Sequence, residues 1–201
     1  MNELVHPFDA TLRDGRAVHL RAMHPGDEAE LVQAFERSRK CGFATFLDPR
    51  GGRSAAAGLG ALMSASARYM RFMRVVREPN LVQLRQVLTS FPAQGIGLVA
   101  TVPAADGIDI VGSAIAMITG DGSHCEFAIT VAERFGGAGL ATLLLKSLID
   151  AATRRGLVEM EGFVLAINQP MLRLASRLGF SIEPDPDDAS VRLCRLRLAR
   201  A

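Results

Sequence analysis

Cysteine is scarce in this sequence. The 201 residues include three, Cys41, Cys125 and Cys194. No two are close and none forms a CxxC pair, so neither a disulfide framework nor a thiolate zinc site is indicated. Histidine is as sparse. His6, His19, His24 and His124 show no HExxH spacing, and no metal site is expected. Excess charge is missing too. The 23 Lys and Arg stand against 21 Asp and Glu, a net +2, too little to imply a nucleic acid or an anionic membrane as partner. No apolar run is long enough to span a bilayer, and residues 1–16 hold neither an apolar h-region nor a small-residue cleavage pattern. A reducing cytoplasm is therefore the expected compartment.

What is present suits a globular chain with a sizeable core: 49% hydrophobic and 22% charged residues. Thr11 to Arg13 and Ala17 to Arg21 flank Asp14-Gly15, a β-hairpin signal, because Asp and Gly tolerate positive φ. A helix is expected over 26–38, with Asp27, Glu28 and Glu30 at its positive end and Leu31, Ala34 and Phe35 at helical spacing. The stretch 41–65 is rich in Gly and Ala and poor in anchors. It reads as a mobile loop with one possible helical turn, or a lid. Short helices follow over 68–76 and 80–91.

Beyond Gly95 the pattern changes to strands. They are expected over 96–102, 108–118, 123–131 and 158–167, with a last one over 191–198. The apolar phase of that last strand is odd at Val191 and Leu193 but even at Leu196 and Leu198, which predicts a bulge. A helix should run from the glycines at 136–139 to Arg155, and another from Asn168, its N-cap, to Gly179. Without repeat or linker, residues 1–201 read as one α+β domain with a mixed sheet.

Strand, glycine loop, helix is the most informative succession. In Gly136-Gly137-Ala138-Gly139 the missing side chains let the backbone close on a phosphate, and the next helix turns free N–H groups toward its charge. A plain tight turn is the competing reading. A Walker A loop would need Lys-Ser/Thr where Leu140-Ala141 stand, and a Rossmann fingerprint counted from Gly137 would end on Thr142 instead of Gly.

With this loop, Asn168 and the ending Leu178-Gly179-Phe180, the chain resembles the GNAT superfamily of N-acetyltransferases. Within it, the chain is most similar to the acetyltransferase domain of bacterial Pat-type protein lysine acetyltransferases. Thr11-Leu-Arg-Asp-Gly15, Ser66-Ala-Arg-Tyr-Met-Arg-Phe72, Glu126-Phe-Ala-Ile129 and the stretch around Asn168 carry the likeness alongside the loop. The resemblance implies a mostly antiparallel sheet flanked by helices, with a splayed central strand pair. It implies acetyl-CoA as co-substrate. Gly136, Gly137, Ala138, Gly139, Leu140 and Ala141 would hold its diphosphate, the backbone at Ile129 and Val131 its pantetheine, and Asn168 the start of the adjoining helix. Three departures stand out. The stretch 41–65 looks like an insertion relative to the family, on the side expected to meet the acceptor. Gly136 occupies a position where the family carries Gln or Arg. Ala175 occupies that of a Tyr which protonates the leaving thiolate in many members, though Pat-type enzymes tend to lack it as well; the chain's single tyrosine is Tyr69.

Attack by an amine on a thioester needs a base, since a lysine acceptor has a pKa of about 10.4. Glu126 matches the glutamate proposed for that role in Pat-type enzymes. Along its strand Cys125, Phe127, Ile129 and Val131 share one face, and Glu126, Ala128 and Thr130 the other. A solvated carboxylate is the plainer reading of Glu126, and a buried structural thiol that of Cys125. The expected activity is acetyl transfer from acetyl-CoA to a protein lysine or a small amine. A non-catalytic acyl-CoA sensor is the alternative, and a homodimer stays open.

Overall fold

The computed structural model describes residues 5–40, 81–105, 107–120 and 122–199. The insertion expected at 41–65, the helix expected over 68–76 and Tyr69 lie outside them. In chain order the elements are β1 (Phe8–Thr11), β2 (Ala17–Ala22), α1 (Glu28–Lys40), α2 (Leu81–Ser90), β3 (Gly95–Ala104), β4 (Gly107–Thr119), β5 (His124–Val131), α3 (Leu140–Arg154), β6 (Glu159–Leu165), α4 (Gln169–Arg177), β7 (Ser181–Pro184) and β8 (Val191–Arg197). The eight strands form one sheet in the order β1-β2-β3-β4-β5-β6-β8-β7. Every neighbouring pair is antiparallel except β5 and β6, which are parallel. The mixed, mostly antiparallel sheet expected of an α+β chain is what forms.

Local chemistry explains the first elements. Gly15 takes φ +84° in the β1–β2 turn, where the Arg16 amide donates to Asp14 Oδ1 at 3.2 Å. Before α1, Asp27 is only 5% exposed. It receives two bonds from the Arg21 guanidinium at 2.7 and 2.8 Å and one from the His24 amide at 2.8 Å. Burial pushes the Asp27 carboxyl up, but the Arg21 and His24 bonds outweigh it and hold the group below its usual range. This pair ties β2 to the entry of α1.

Helices cover both faces of the sheet. On one, α3 buries Leu140, Leu144, Leu145, Leu148, Ala151 and Ala152, and α4 adds Leu172, Leu174 and Ala175. They meet Ile96, Leu98, Ala100, Val111, Cys125, Phe127 and Met160 of the strands. On the other, Leu31, Leu84 and Leu88 pack with Val99 and Ile110 in a smaller cluster.

Two features of the C-terminal strands differ from expectation. The bulge predicted in the last strand is absent, for β8 pairs with β6 in unbroken register from Val191↔Leu165 to Arg197↔Glu159. The change of apolar phase has another cause. Cys194, Leu196 and Leu198 face the main core, while Leu193, also buried, lies on the opposite side of the same regular strand. The second feature is β7, a four-residue edge strand against β8. Ser181-Ile182-Glu183-Pro184 has one apolar residue and a proline, so no sequence pattern announces it, and a proline is tolerated at such an edge.

Candidate active site

β5 is where the sheet opens. Along one side it pairs with β4 over eight residues, from Val131↔Gly112 to His124↔Thr119. Along the other it pairs with β6 only at His124↔Glu159, Cys125↔Met160 and Glu126↔Glu161. Beyond Glu126 the two strands part. Phe127 shows why. Its ring lies over Gly162, where a Cβ would stand 2.5 Å from a ring carbon, and packs on Phe180 at 5.2 Å with a 60° tilt. From Phe127 to Val131 the β6-facing backbone edge lies outside the ladder. Ile129 and Val131 line one lip of the opening, and the end of β6 at Leu165 leads to Asn168 on the other.

The glycine loop follows directly on the open strand. A single 3₁₀ turn, Glu133–Phe135, buries Phe135 and closes with the Gly136 amide on the Glu133 carbonyl at 2.7 Å. Gly137 (φ +74°) and Gly139 (φ +95°) are left-handed, a conformation that costs other residues about 1–2 kcal/mol. Gly139 is the N-cap of α3 and Leu140, at its first position, is wholly buried. The amides of Gly137, Gly139, Leu140 and Ala141 make no hydrogen bond among the described residues. Unpaired donors at the positive end of a 15-residue helix suit a phosphate. Ala138 is 5% exposed, and its carbonyl accepts from the Arg13 amide of the β1–β2 turn at 3.0 Å.

Glu126 sits where β5 and β6 diverge. It is 4% exposed, so it is not the solvated carboxylate of the plainer reading. Its register partners are Met117 on β4 and Glu161 on β6. Cross-strand partners project from one face, so Glu126 and Glu161 are neighbouring carboxylates. Glu161 in turn faces Arg195 of β8, whose Nε lies 3.5 Å from its Oε2. Sequence reasoning missed Glu161, because register between two strands 35 positions apart leaves no local pattern.

The remaining candidates divide. Asn168 Oδ1 accepts the Met171 amide at 3.1 Å, the N-cap of α4. Cys125 is wholly buried, and burial first, then Glu161, pushes its thiol up to about 12. It is a core group, not an acyl carrier. Ala175 is wholly buried on the inner face of α4, and being alanine it places no hydroxyl acid at that position. No cluster of three or more metal-ligating side chains occurs among the described residues, and none of their helices is long and apolar enough to cross a membrane.

Comparison with known proteins bears on the family and the fold. A family model described as an acetyltransferase (GNAT) domain matches residues 53–181. Acetyltransferase PA5475 of Pseudomonas aeruginosa is 32% identical over 136 residues, 68% of this chain and 73% of that protein. Among solved structures, the GNAT domain of S. lividans PAT superposes with a TM-score of 0.71 at 19% identity, covering 96% of this chain and 97% of that one. YncA of Salmonella typhimurium, a putative acetyltransferase solved with its cofactor acetyl-CoA, gives a TM-score of 0.61 at 18% identity, over 92% and 95% of the two chains.

Proposed function

The chain belongs to the GNAT family of acetyltransferases, and from that premise we propose that it carries an acetyl group from acetyl-CoA to an amine, a protein lysine in the first instance, with Glu126 as the base. One observation carries the reading: β5 leaves β6 directly after the buried Glu126 and runs into a loop of unpaired amides at the head of α3. A diphosphate fits those amides, and the free backbone edge of Phe127 to Val131 fits the amide-bearing pantetheine arm. The thioester supplies the acyl carbon that the amine attacks.

The chain's own residues then have separate tasks. The loop fixes the anionic end of the co-substrate and the open edge of β5 aligns its arm, so that the reactive carbon arrives near the fork. Glu126 takes the proton from the acceptor nitrogen as the C–N bond forms and the C–S bond breaks. Its register neighbour across the fork is Glu161 of β6. With Ala175 in place of a phenol, the thiolate leaves to water.

Gly136 and Ala175 favour a second reading, a sensor that binds acyl-CoA without turnover. Thiol release from acetyl-CoA, followed over a panel of protein lysines and small amines, decides between them. Release with a protein acceptor supports the main reading. Release only with small amines moves the acceptor class, and binding without release on any acceptor favours the sensor.

A further inference from the structure

Among the described residues three arginines border the glycine loop, and two of them are committed. Arg16 pairs with Asp14 through Nε at 2.9 Å and lies over the Phe135 ring, 3.8 Å from its centroid. Arg134 pairs with the buried Asp109 and borders the same ring at 5.5 Å. Arg13 has no ion pair among the described residues and is exposed. Yet it is fixed at its base. Its amide donates to Ala138 O at 3.0 Å. Its Cγ and Nε stand 3.5 Å from the place a Cβ would take on Gly139, so the side chain runs along the left-handed glycine that opens α3. The guanidinium therefore starts from the lip of the unpaired amides.

We propose that Arg13, reaching from the β1–β2 turn, is the cation that pairs with the diphosphate of the coenzyme at this loop. The inference rests on the reading of the loop as the coenzyme site. It deepens that reading by naming a contact from a part of the chain about 120 residues away in sequence. The geometry also accounts for a loop with no long side chain of its own. Gly136 has an ordinary φ of −58°, but a Cβ there would come within 3.0 Å of the Glu133 carbonyl that closes the 3₁₀ turn. A side chain there would need the turn to give by a few tenths of an ångström, and the adjacent hairpin places a cation beside the loop without that adjustment. A planar fork of donors matches two phosphate oxygens at once.

The test compares the binding of CoA and of dephospho-CoA, which lacks only the 3′-phosphate, by calorimetry at low salt to the parent, Arg13→Gln and Arg13→Lys. The expected result is a Kd raised roughly tenfold in Arg13→Gln for both ligands, with a smaller loss in Arg13→Lys, as suits a partly exposed charge-assisted contact. The loss should shrink as salt is added. Thermal unfolding of the free variants should match the parent, since the side chain bonds to nothing in the described fold. A parent that binds neither ligand would refute the coenzyme reading itself. A parent that binds CoA while Arg13→Gln binds it equally well overturns the assignment of Arg13 alone. A loss seen with CoA but not with dephospho-CoA also overturns it, because the contact would then be to the 3′-phosphate.

Discussion

The two sides of β5 differ more than any other pair of neighbouring strand edges near the site. Toward β4 the ladder is closed over eight residue pairs, and glycine at 112 only makes room for the methyl tips of Leu140 and Leu144. Toward β6 the ladder stops after three pairs, and glycine at 162 makes room for a whole phenyl ring. The first side is closed and the second is open, the edge that the proposed function gives to the coenzyme. A strand that keeps one neighbour and loses the other still folds, because the retained ladder and the α3 contacts hold it. The lost side then offers backbone donors and acceptors at a fixed place.

The largest effect expected on this comparison falls at the fork. Glu126→Gln keeps the shape and removes the base, so turnover at neutral pH should drop by about 10²–10⁴. Affinity for CoA should hardly move, and raising the pH should recover part of the rate as more acceptor amine becomes neutral. Steady-state rates across pH check this. A variant as fast as the parent at pH 7 would leave water or another group as the base.

Next comes the loop beyond the open edge. Gly139→Glu puts a β-carbon on a residue at φ +95° and a negative charge where the phosphates should lie. It should cost roughly 1–2 kcal/mol of stability and abolish the rise in Tm that CoA gives the parent. Thermal shift with and without CoA measures both. An undiminished rise would remove the loop as the site.

The wedge itself can be tested with a pair of substitutions. Gly162→Ala drives a methyl to 2.5 Å from the Phe127 ring, and its cost should be about 1–3 kcal/mol by chemical denaturation. Gly112→Ala meets the tip of Leu144 at 2.9 Å, which can shift, and should cost less. Coenzyme affinity should fall only in the first. Equal costs and unchanged affinity in both would mean that the ring does not set the opening.

The smallest effect concerns the thiols on the closed sides. Burial pushes Cys125 up to about 12 and Cys194 to about 11, from an ordinary 9.0. In the folded chain they should resist alkylation at pH 8. The linked sign is clear. The raised folded values favour the native state below pH 9, and that contribution is lost as pH rises from about 9 toward 11 and 12, where unfolded thiols ionise first. Replacing both with Ala should flatten stability against pH over that window.

The parts legible in the sequence were those written in local patterns. Asp14-Gly15 marks a turn, the leucines from 140 to 148 repeat at helical spacing, and glycines at 137 and 139 take the left-handed conformations that glycine alone adopts at little cost. Asn168 reads as a cap because capping is a contact three residues long. The alternation along β5 placed Glu126 opposite Cys125, and both are buried on their respective faces. The false bulge in β8 arose from reading one apolar face where two are covered.

Other features depend on which strands meet and in what register, and no short stretch of residues records that. Glu161 becomes the neighbour of Glu126 only through the parallel pairing of β5 with β6. Phe127 becomes a wedge only because Gly162 lies opposite it, and Arg13 reaches the loop only because the first hairpin bonds to Ala138. The sequence alone determined most of the elements and the left-handed glycine loop, since these follow from neighbours along the chain, while the family resemblance singled out Glu126 as the candidate base. Only the tertiary structure decided where the sheet opens and which charges border the opening, since these depend on contacts between residues far apart in the chain.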